Sequence, residues 1–198
     1  MLVLQPWAVF LGMRRAGFDS GQAACVGALS PLVLKGIEFG YNAHASLSIG
    51  LYTQAWGHVA FPLAVGELVA LARGRGSLLA AAVASAFTAS THMFFAIALV
   101  PPLAITGLLL GSPMRGALRL ALAGLGAFCL LAWWLVPLSL TQAFFGGWPF
   151  GSEHRVNGYG LDRLWGMFLD GSVIDGERDF PVLMWLAAAG ALVAPLRA

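Results

Sequence analysis

The sequence predicts an all-α protein, a multi-pass transmembrane helix bundle of about six to seven segments with long outer loops. Hydrophobic residues make up 59% of the 198 residues and charged residues only 10%, whereas soluble domains carry about 25% charged residues. The mean hydropathy is +0.81. The apolar residues also fall into runs that are separated by short turns bearing arginine. These observations together indicate an integral membrane protein.

The apolar runs predict helices in a defined order along the chain. Several runs are shorter than the roughly 20 residues that a full membrane span needs. Small residues dominate positions 80–90. Because such a surface lets helices approach closely, we expect this helix at the centre of the bundle. The predicted segments are 2–13, 20–34, 55–72, 77–91, 93–110, 117–138 and 180–196.

The uncharged run at residues 77–110 predicts a reversal of the chain. As a single helix it would reach about 51 Å at about 1.5 Å per residue, while the hydrocarbon core of a bilayer is only about 30 Å thick. Two shorter membrane helices fit that thickness better than one. We therefore expect a helical hairpin with His92 at its tip.

The positions of the arginines predict which turns share one side of the membrane. Basic residues near helix ends favour the cytoplasmic side. When residues 77–110 count as two helices, one side carries most of the arginines and a single acid, Asp19, and the other side carries most of the acids. The amino end is therefore predicted outside and the carboxyl end inside. The inner basic residues are Arg14, Arg15, Arg73, Arg75, Arg115, Arg119 and Arg197.

The expected organisation is a single transmembrane domain over residues 1–198. Segment 2–13 is too short to span a bilayer and lacks a leading basic region, so we expect a piece of a longer chain and no signal peptide. The outer connections 35–54 and 139–179 are long, and function is expected there. Apolar residues at helical spacing predict a short helix in 139–179, either at the membrane interface or packed on the bundle. They are Leu161, Leu164, Trp165, Phe168 and Leu169.

The four histidines all map to the outer half of the helices or to the outer connections. Ionisable residues at membrane depth are rare and tend to face a cavity. No pair has the spacing of a helical metal site, so a divalent metal has no supporting motif and the cofactors stay unknown. For each histidine, a hydrogen bond to the backbone at a helix end is the alternative role. The histidines are His44, His58, His92 and His154.

Two glutamates and one tryptophan offer further polar or aromatic functions. Glu38, near Tyr41, could act as a general base or bind hydroxyl groups, although pairing with Lys35 one helical turn away is the simpler explanation. Glu67, inside the third apolar segment, is expected to reach towards the inner surface or to bond a neighbouring helix. Trp148 suits either sugar stacking or an aromatic belt at the headgroup level.

Four stretches carry a family resemblance: Glu-Phe-Gly-Tyr-Asn-Ala-His at 38–44, Tyr-Thr-Gln-Ala-Trp-Gly-His at 52–58, Ser-Thr-His at 90–92 and Ala-Trp-Trp-Leu-Val-Pro at 132–137. Over residues 39–160 the chain resembles the multi-pass membrane glycosyltransferases of the type C fold, in particular bacterial membrane proteins labelled 6-pyruvoyl-tetrahydropterin synthase-related. The resemblance implies sugar transfer from a polyprenyl-phosphate donor at the outer face of a bacterial or archaeal plasma membrane. It also implies an acidic base, which in the family lies in an earlier outer loop that is expected to precede this chain.

The leading hypothesis is therefore a glycosyltransferase-like domain with its site on the outer face. Membrane lipid and a lipid-linked sugar are the expected partners, and nucleic acid is not. Two alternatives stay open: a non-catalytic lipid or solute carrier of the flippase type, and a structural membrane subunit. The candidates for catalysis are Glu38 and His92. The candidates for substrate binding are Tyr41, His44, His58, Trp148 and His154.

Overall fold

The protein is helical throughout the part of the chain that the structure describes. A computed structural model describes residues 2–32, 52–91, 93–100, 113–141, 161–171 and 180–193. These ranges contain α-helices and 3-10 turns but no strand, which confirms the all-α class for them. The helices are α1 (Gln5–Ala16), α2 (Ser20–Leu29), α3 (Tyr52–Ala72), α4 (Leu78–Thr91), α5 (Met93–Ala98), α6 (Pro113–Leu140), α7 (Leu161–Leu169) and α8 (Val182–Val193), with 3-10 turns at Leu2–Leu4 and Ser30–Leu32.

The helices fall into two compact units. The first unit contains α1 to α6, and the second contains α7 and α8. In the second unit, α7 is the short helix that the apolar spacing predicts within residues 139–179. Gly171, at φ +78°, turns the chain after α7, and Pro181 packs where a side chain at this position would lie.

A tight turn folds α2 back along α1. Gly17 ends α1 in the left-handed conformation at φ +106°, which glycine adopts without a steric cost. The Asp19 carboxylate then accepts a hydrogen bond from the Gln22 backbone N–H at 2.8 Å, and the Gln22 side chain accepts one from the Asp19 N–H at 3.2 Å. This reciprocal capping box satisfies free donors at the start of α2. Further along, Gly27 lies against the Pro6 carbonyl oxygen, so α2 is antiparallel to α1.

Helix α3 runs parallel to α1 and antiparallel to α4. Gly12 of α1 contacts α3 at Pro62, and one turn later Arg15 of α1 is bonded to Glu67 of α3. Residue numbers therefore rise in the same direction along both helices. The turn between α3 and α4 is short and passes through Gly74, which has φ +77°.

Helices α4 and α6 run parallel to each other. The Arg119 guanidinium lies over Gly74 at the start of α4, and a Cβ placed on Gly126 would come within 3.0 Å of the Ala82 Cβ. Two parallel helices that start at the same end require the chain between them to return to that end. This confirms the reversal predicted within residues 77–110, although His92 itself lies outside the described residues.

Helix α4 packs closely against its neighbours, as its small residues predict, but it is not the most central helix of the first unit, since α3 contacts α1, α4 and α6. Helix α4 contacts both α3 and α6, and its buried face consists of Ala81, Ala82, Ser85, Ala86 and Thr88. Buried Leu99, just after α5, belongs to the same core cluster as Ala64, Leu68 and Ala81. The small side chains on this buried face permit close approach to α3 and to α6.

Several helices are longer than the apolar runs predict. Helix α1 continues through Arg14 and Arg15 to Ala16, and α6 spans Pro113–Leu140 where residues 117–138 are expected. The apolar runs therefore located these helices but not their exact ends. Arginine is a good helix former, and its long apolar stem lets the charged head reach solvent from within a helix.

The first unit buries small residues and exposes large apolar ones. Its core is mostly alanine, and the largest fully buried side chain among the described residues is Thr88. On α6, in contrast, Trp133 is 77% exposed and Leu125 is 59% exposed. Two described stretches are long and apolar enough to cross a membrane, namely Ala55–Ala72 with a mean hydropathy of 1.4 and Met114–Leu140 with 2.0. Only 17% of the second stretch is buried.

Candidate functional site

The candidate site is a cavity of about 480 Å³ between α1, α3 and α5, which we call the α1–α3 groove. Its two ends are His58, on α3, and Arg73, directly after the last residue of α3. These residues are about 22 Å apart along the helix axis at about 1.5 Å per residue. Most of the wall between them is apolar, and its bulkiest members are Val9, Met13, Phe18, Phe61, Val65 and Val69.

Gly12 and Gly66 form the part of the groove where the two helix backbones touch. A side chain on Gly12 would overlap the Pro62 carbonyl group, and one on Gly66 would overlap the Gly12 backbone. On α1, the buried residues recur every four positions, at Ala8, Gly12 and Ala16. This spacing of small residues is the usual way for membrane helices to approach closely. It brings α1 and α3 together and leaves their larger side chains to line the groove.

His58 closes one end of the groove, where its ring packs against Phe95. His58 is 9% exposed, and its ring meets the ring of Phe95 edge to face, with centroids 5.2 Å apart and planes at 87°. Phe95 also packs on Phe61 at a centroid distance of 5.9 Å. Gly57 makes this packing feasible, since a side chain there would occupy the position of the Phe95 ring.

Arginines gather at the other end of the first unit, which we call the arginine end. Arg73 Nη1 donates a hydrogen bond to the Ala16 carbonyl oxygen at 2.6 Å, and Arg75 Nη2 approaches the same oxygen at 3.4 Å. Arg14 Nη1 donates to the Phe18 carbonyl oxygen at 2.8 Å. Together with Arg119 over Gly74, these contacts place at one end four of the seven arginines that the charge pattern assigns to one side. Arg197 lies outside the described residues.

Glu67 is bonded to a neighbouring helix, as expected from its position inside an apolar segment. Arg15 Nε donates to Glu67 Oε1 at 2.7 Å, and the two side chains are 45% and 21% exposed. Glu67 does not line the groove. The Glu67 carboxylate therefore pairs with Arg15 and not with Arg73 or Arg75.

No protein family, curated protein or solved structure matches this chain. Its function must therefore be argued from its own residues.

Of the residues predicted for the site, the structure places His58 in the groove. The described residues contain no group of histidine, cysteine or carboxylate side chains that could hold a metal ion. The other predicted residues lie outside the described part of the chain, so their roles stay predictions. They are Glu38, Tyr41, His44, His92, Trp148 and His154.

Sequence reasoning did not anticipate the α1–α3 groove. The sequence predicted that segment 2–13 is too short to span a bilayer, and it placed Arg73 only among the basic residues of the inner side. A usable signal existed in the four-residue spacing of Ala8, Gly12 and Ala16. That spacing predicts a close helix contact. It does not identify the partner helix, because several other helices also carry small residues.

Proposed function

We propose that this chain forms a multi-pass membrane domain with the arginine end in the cytoplasm. The main support is the inverted distribution of side chains in the first unit. In a water-soluble protein large apolar residues form the core, and an exposed apolar surface as extensive as that of α6 would lead to association. In a bilayer such a surface contacts lipid tails, and helices associate through small residues.

The alternation of the helices supports the same arrangement. Helices α1 and α3 end at the arginine end, and α2, α4 and α6 begin there. Arginine-rich turns favour the cytoplasmic side of a membrane, so that end is assigned to the inside. His58 then lies towards the outside, as do the last turns of α4 and α6.

Within this domain we propose a glycosyltransferase-like function that uses a lipid-linked sugar at the outer end. The single observation that carries the proposal is the α1–α3 groove, an apolar channel that ends at a buried imidazole. An apolar channel suits a polyprenyl chain, and a polar group at its end suits the attached head group. Three of the four stretches that carry the family resemblance also lie, in their described parts, at this outer end. They are 52–58, Ser90 with Thr91, and 132–137.

A lipid carrier is the second candidate, and one observation favours it. Among the residues that line the groove, the polar side chains are few: Gln5, His58 and Arg73. A wall of this kind can hold a lipid without acting on it.

We expect opposite ends of α6 to be accessible from opposite sides of the membrane. With Cys25 and Cys129 replaced, Met114→Cys should react with a membrane-impermeant thiol reagent only from the cytoplasmic side, and Thr141→Cys only from the outside. Each variant serves as the control for the other in spheroplasts and inverted vesicles. Labelling of both positions from the same side would contradict the proposed membrane arrangement.

The transferase function is tested with the protein reconstituted in lipid nanodiscs and supplied with radiolabelled polyprenyl-phosphate sugars and a membrane extract as the source of acceptor. We expect transfer of label to acceptor, and a lower rate for His92→Ala. Absence of transfer by both proteins would contradict the transferase and favour the carrier. Equal rates for both proteins would exclude His92 from the reaction.

A further inference from the structure

We infer that Arg73 and Arg75 bind the phosphate of an anionic phospholipid from the cytoplasmic leaflet, with an acyl chain of that lipid in the α1–α3 groove. This inference rests on the proposed membrane arrangement. It adds a second ligand at the end of the groove opposite His58.

The first support is an excess of positive charge at one point. Arg73 and Arg75 both direct a guanidinium nitrogen at the Ala16 carbonyl oxygen, at 2.6 and 3.4 Å. The last turn of a helix carries the equivalent of only about half a negative charge. Each guanidinium has five N–H donors, so most of their donors are left for another acceptor. The two positive charges of Arg73 and Arg75 therefore exceed the partial negative charge at the end of α1, and the excess can bind an anion.

Among the described residues, no acid forms an ion pair with Arg73 or Arg75. Glu67 is bonded to Arg15, and the Asp19 carboxylate caps α2 through the Gln22 N–H. Both guanidinium groups instead lie over Gly17, where a Cβ would be 2.6 Å from Arg75 Nη2 and 2.9 Å from Arg73 Nη1. The absence of a side chain at Gly17 lets the two guanidinium groups converge at this point.

The second support is the continuity of this charged point with the groove. Arg73, Ala16 and Phe18 line the end of the α1–α3 groove, so a phosphate on Arg73 has an apolar channel directly beside it. The groove extends for about 22 Å along α3, and one leaflet of the hydrocarbon core is only about 15 Å deep. An acyl chain that starts at the arginine end therefore fits along the groove.

The charge decides which lipid this is. Anionic lipids are concentrated in the cytoplasmic leaflet and are attracted to basic residues at that surface. A zwitterionic phospholipid also carries a phosphate, but its ammonium group offsets the attraction of two arginines. We therefore expect a clear preference for a lipid with a net negative head group.

The test measures lipid binding to the delipidated protein by native mass spectrometry, with phosphatidylglycerol and phosphatidylcholine as the probes. We expect tighter binding of phosphatidylglycerol, and Arg73→Gln should weaken it by about tenfold, the loss expected for one charge-assisted hydrogen bond. Arg73→Lys keeps the charge and should recover part of the affinity. Arg115→Gln is the matched control, because Arg115 is exposed in the first turn of α6 and does not line the groove.

Two results would overturn the inference. The first is equal binding of the two lipids with no effect of Arg73→Gln in a protein whose circular dichroism is unchanged. The second is binding of inorganic phosphate alone with the affinity of the phospholipid, which would indicate a site for a free anion. Neither result involves sugar transfer, so a protein that binds phosphatidylglycerol as expected but fails the transfer assay would contradict only the proposed function.

Discussion

Replacing Gly12 with alanine is expected to destabilise the protein by forcing α1 and α3 apart. The new Cβ would overlap the Pro62 carbonyl group, which belongs to the backbone of α3 and cannot turn away as a side chain can. The two helices must separate, and overpacking of this kind costs about 1–3 kcal/mol. The measurement is the midpoint of thermal unfolding in detergent, followed by circular dichroism.

Gly124→Ala is the matched control for this prediction. Gly124 lies within α6, and a Cβ at this position would meet nothing within 4 Å. Because alanine has a higher helix propensity than glycine, this variant should be more stable by about 0.5–1 kcal/mol. The same chemical change is thus expected to have opposite effects at the two positions. If both variants unfold at the temperature of the parent protein, the close crossing of α1 and α3 is wrong.

Filling the groove with Val69→Trp should abolish its use by a lipid. Val69 lies on α3 one turn before Arg73 and lines the groove about midway between Val65 and the arginine end. An indole at this position occupies the space of an acyl chain while the buried core cluster, which does not include Val69, stays in place. We expect loss of phosphatidylglycerol binding in the mass spectrometry assay, and a lower rate of sugar transfer if the polyprenyl chain uses the same channel.

Val83→Trp controls for the insertion of a large ring into a helix. Val83 is 48% exposed on α4 and does not line the groove. This variant should bind lipid as the parent protein does. Retention of phosphatidylglycerol binding by Val69→Trp, with the Arg73 variants still weakened, would show that the head group binds at the arginines and that the acyl chain lies elsewhere.

Much of the first unit could be predicted from the sequence because its signals are local. Apolar runs predicted the positions of α1 to α6, and the small residues of α4 predicted its close packing against neighbouring helices. The uncharged length of residues 77–110 predicted the reversal. The arginines predicted which turns meet at one end, because they fall on one side only when residues 77–110 count as two helices. The ends of helices were predicted less well, because arginine at a helix end does not stop the helix.

The candidate site was predicted only in part. His58 was predicted as a substrate-binding residue, and the structure places it at the end of an apolar groove beside Phe95 and α1, neither of which the prediction connected with it. The groove depends on which helix lies beside α3, and that choice is made by contacts between residues that are far apart in the chain. Gly12 with Pro62, and Arg15 with Glu67, are pairs of this kind.

The sequence by itself determined the helical class, the turns between helices and the grouping of the arginines at one end. The reason is that hydrophobicity and charge are properties of each residue and can be read without knowing its neighbours in space. Only the tertiary structure decided that α1 runs parallel to α3 in backbone contact, and that Arg73 and Arg75 converge on the end of α1. The physical reason is that a helix with small residues can pack closely against many other helices. Helix α3 is the partner of α1 because its backbone at Pro62 fits against Gly12 and its Glu67 pairs with Arg15.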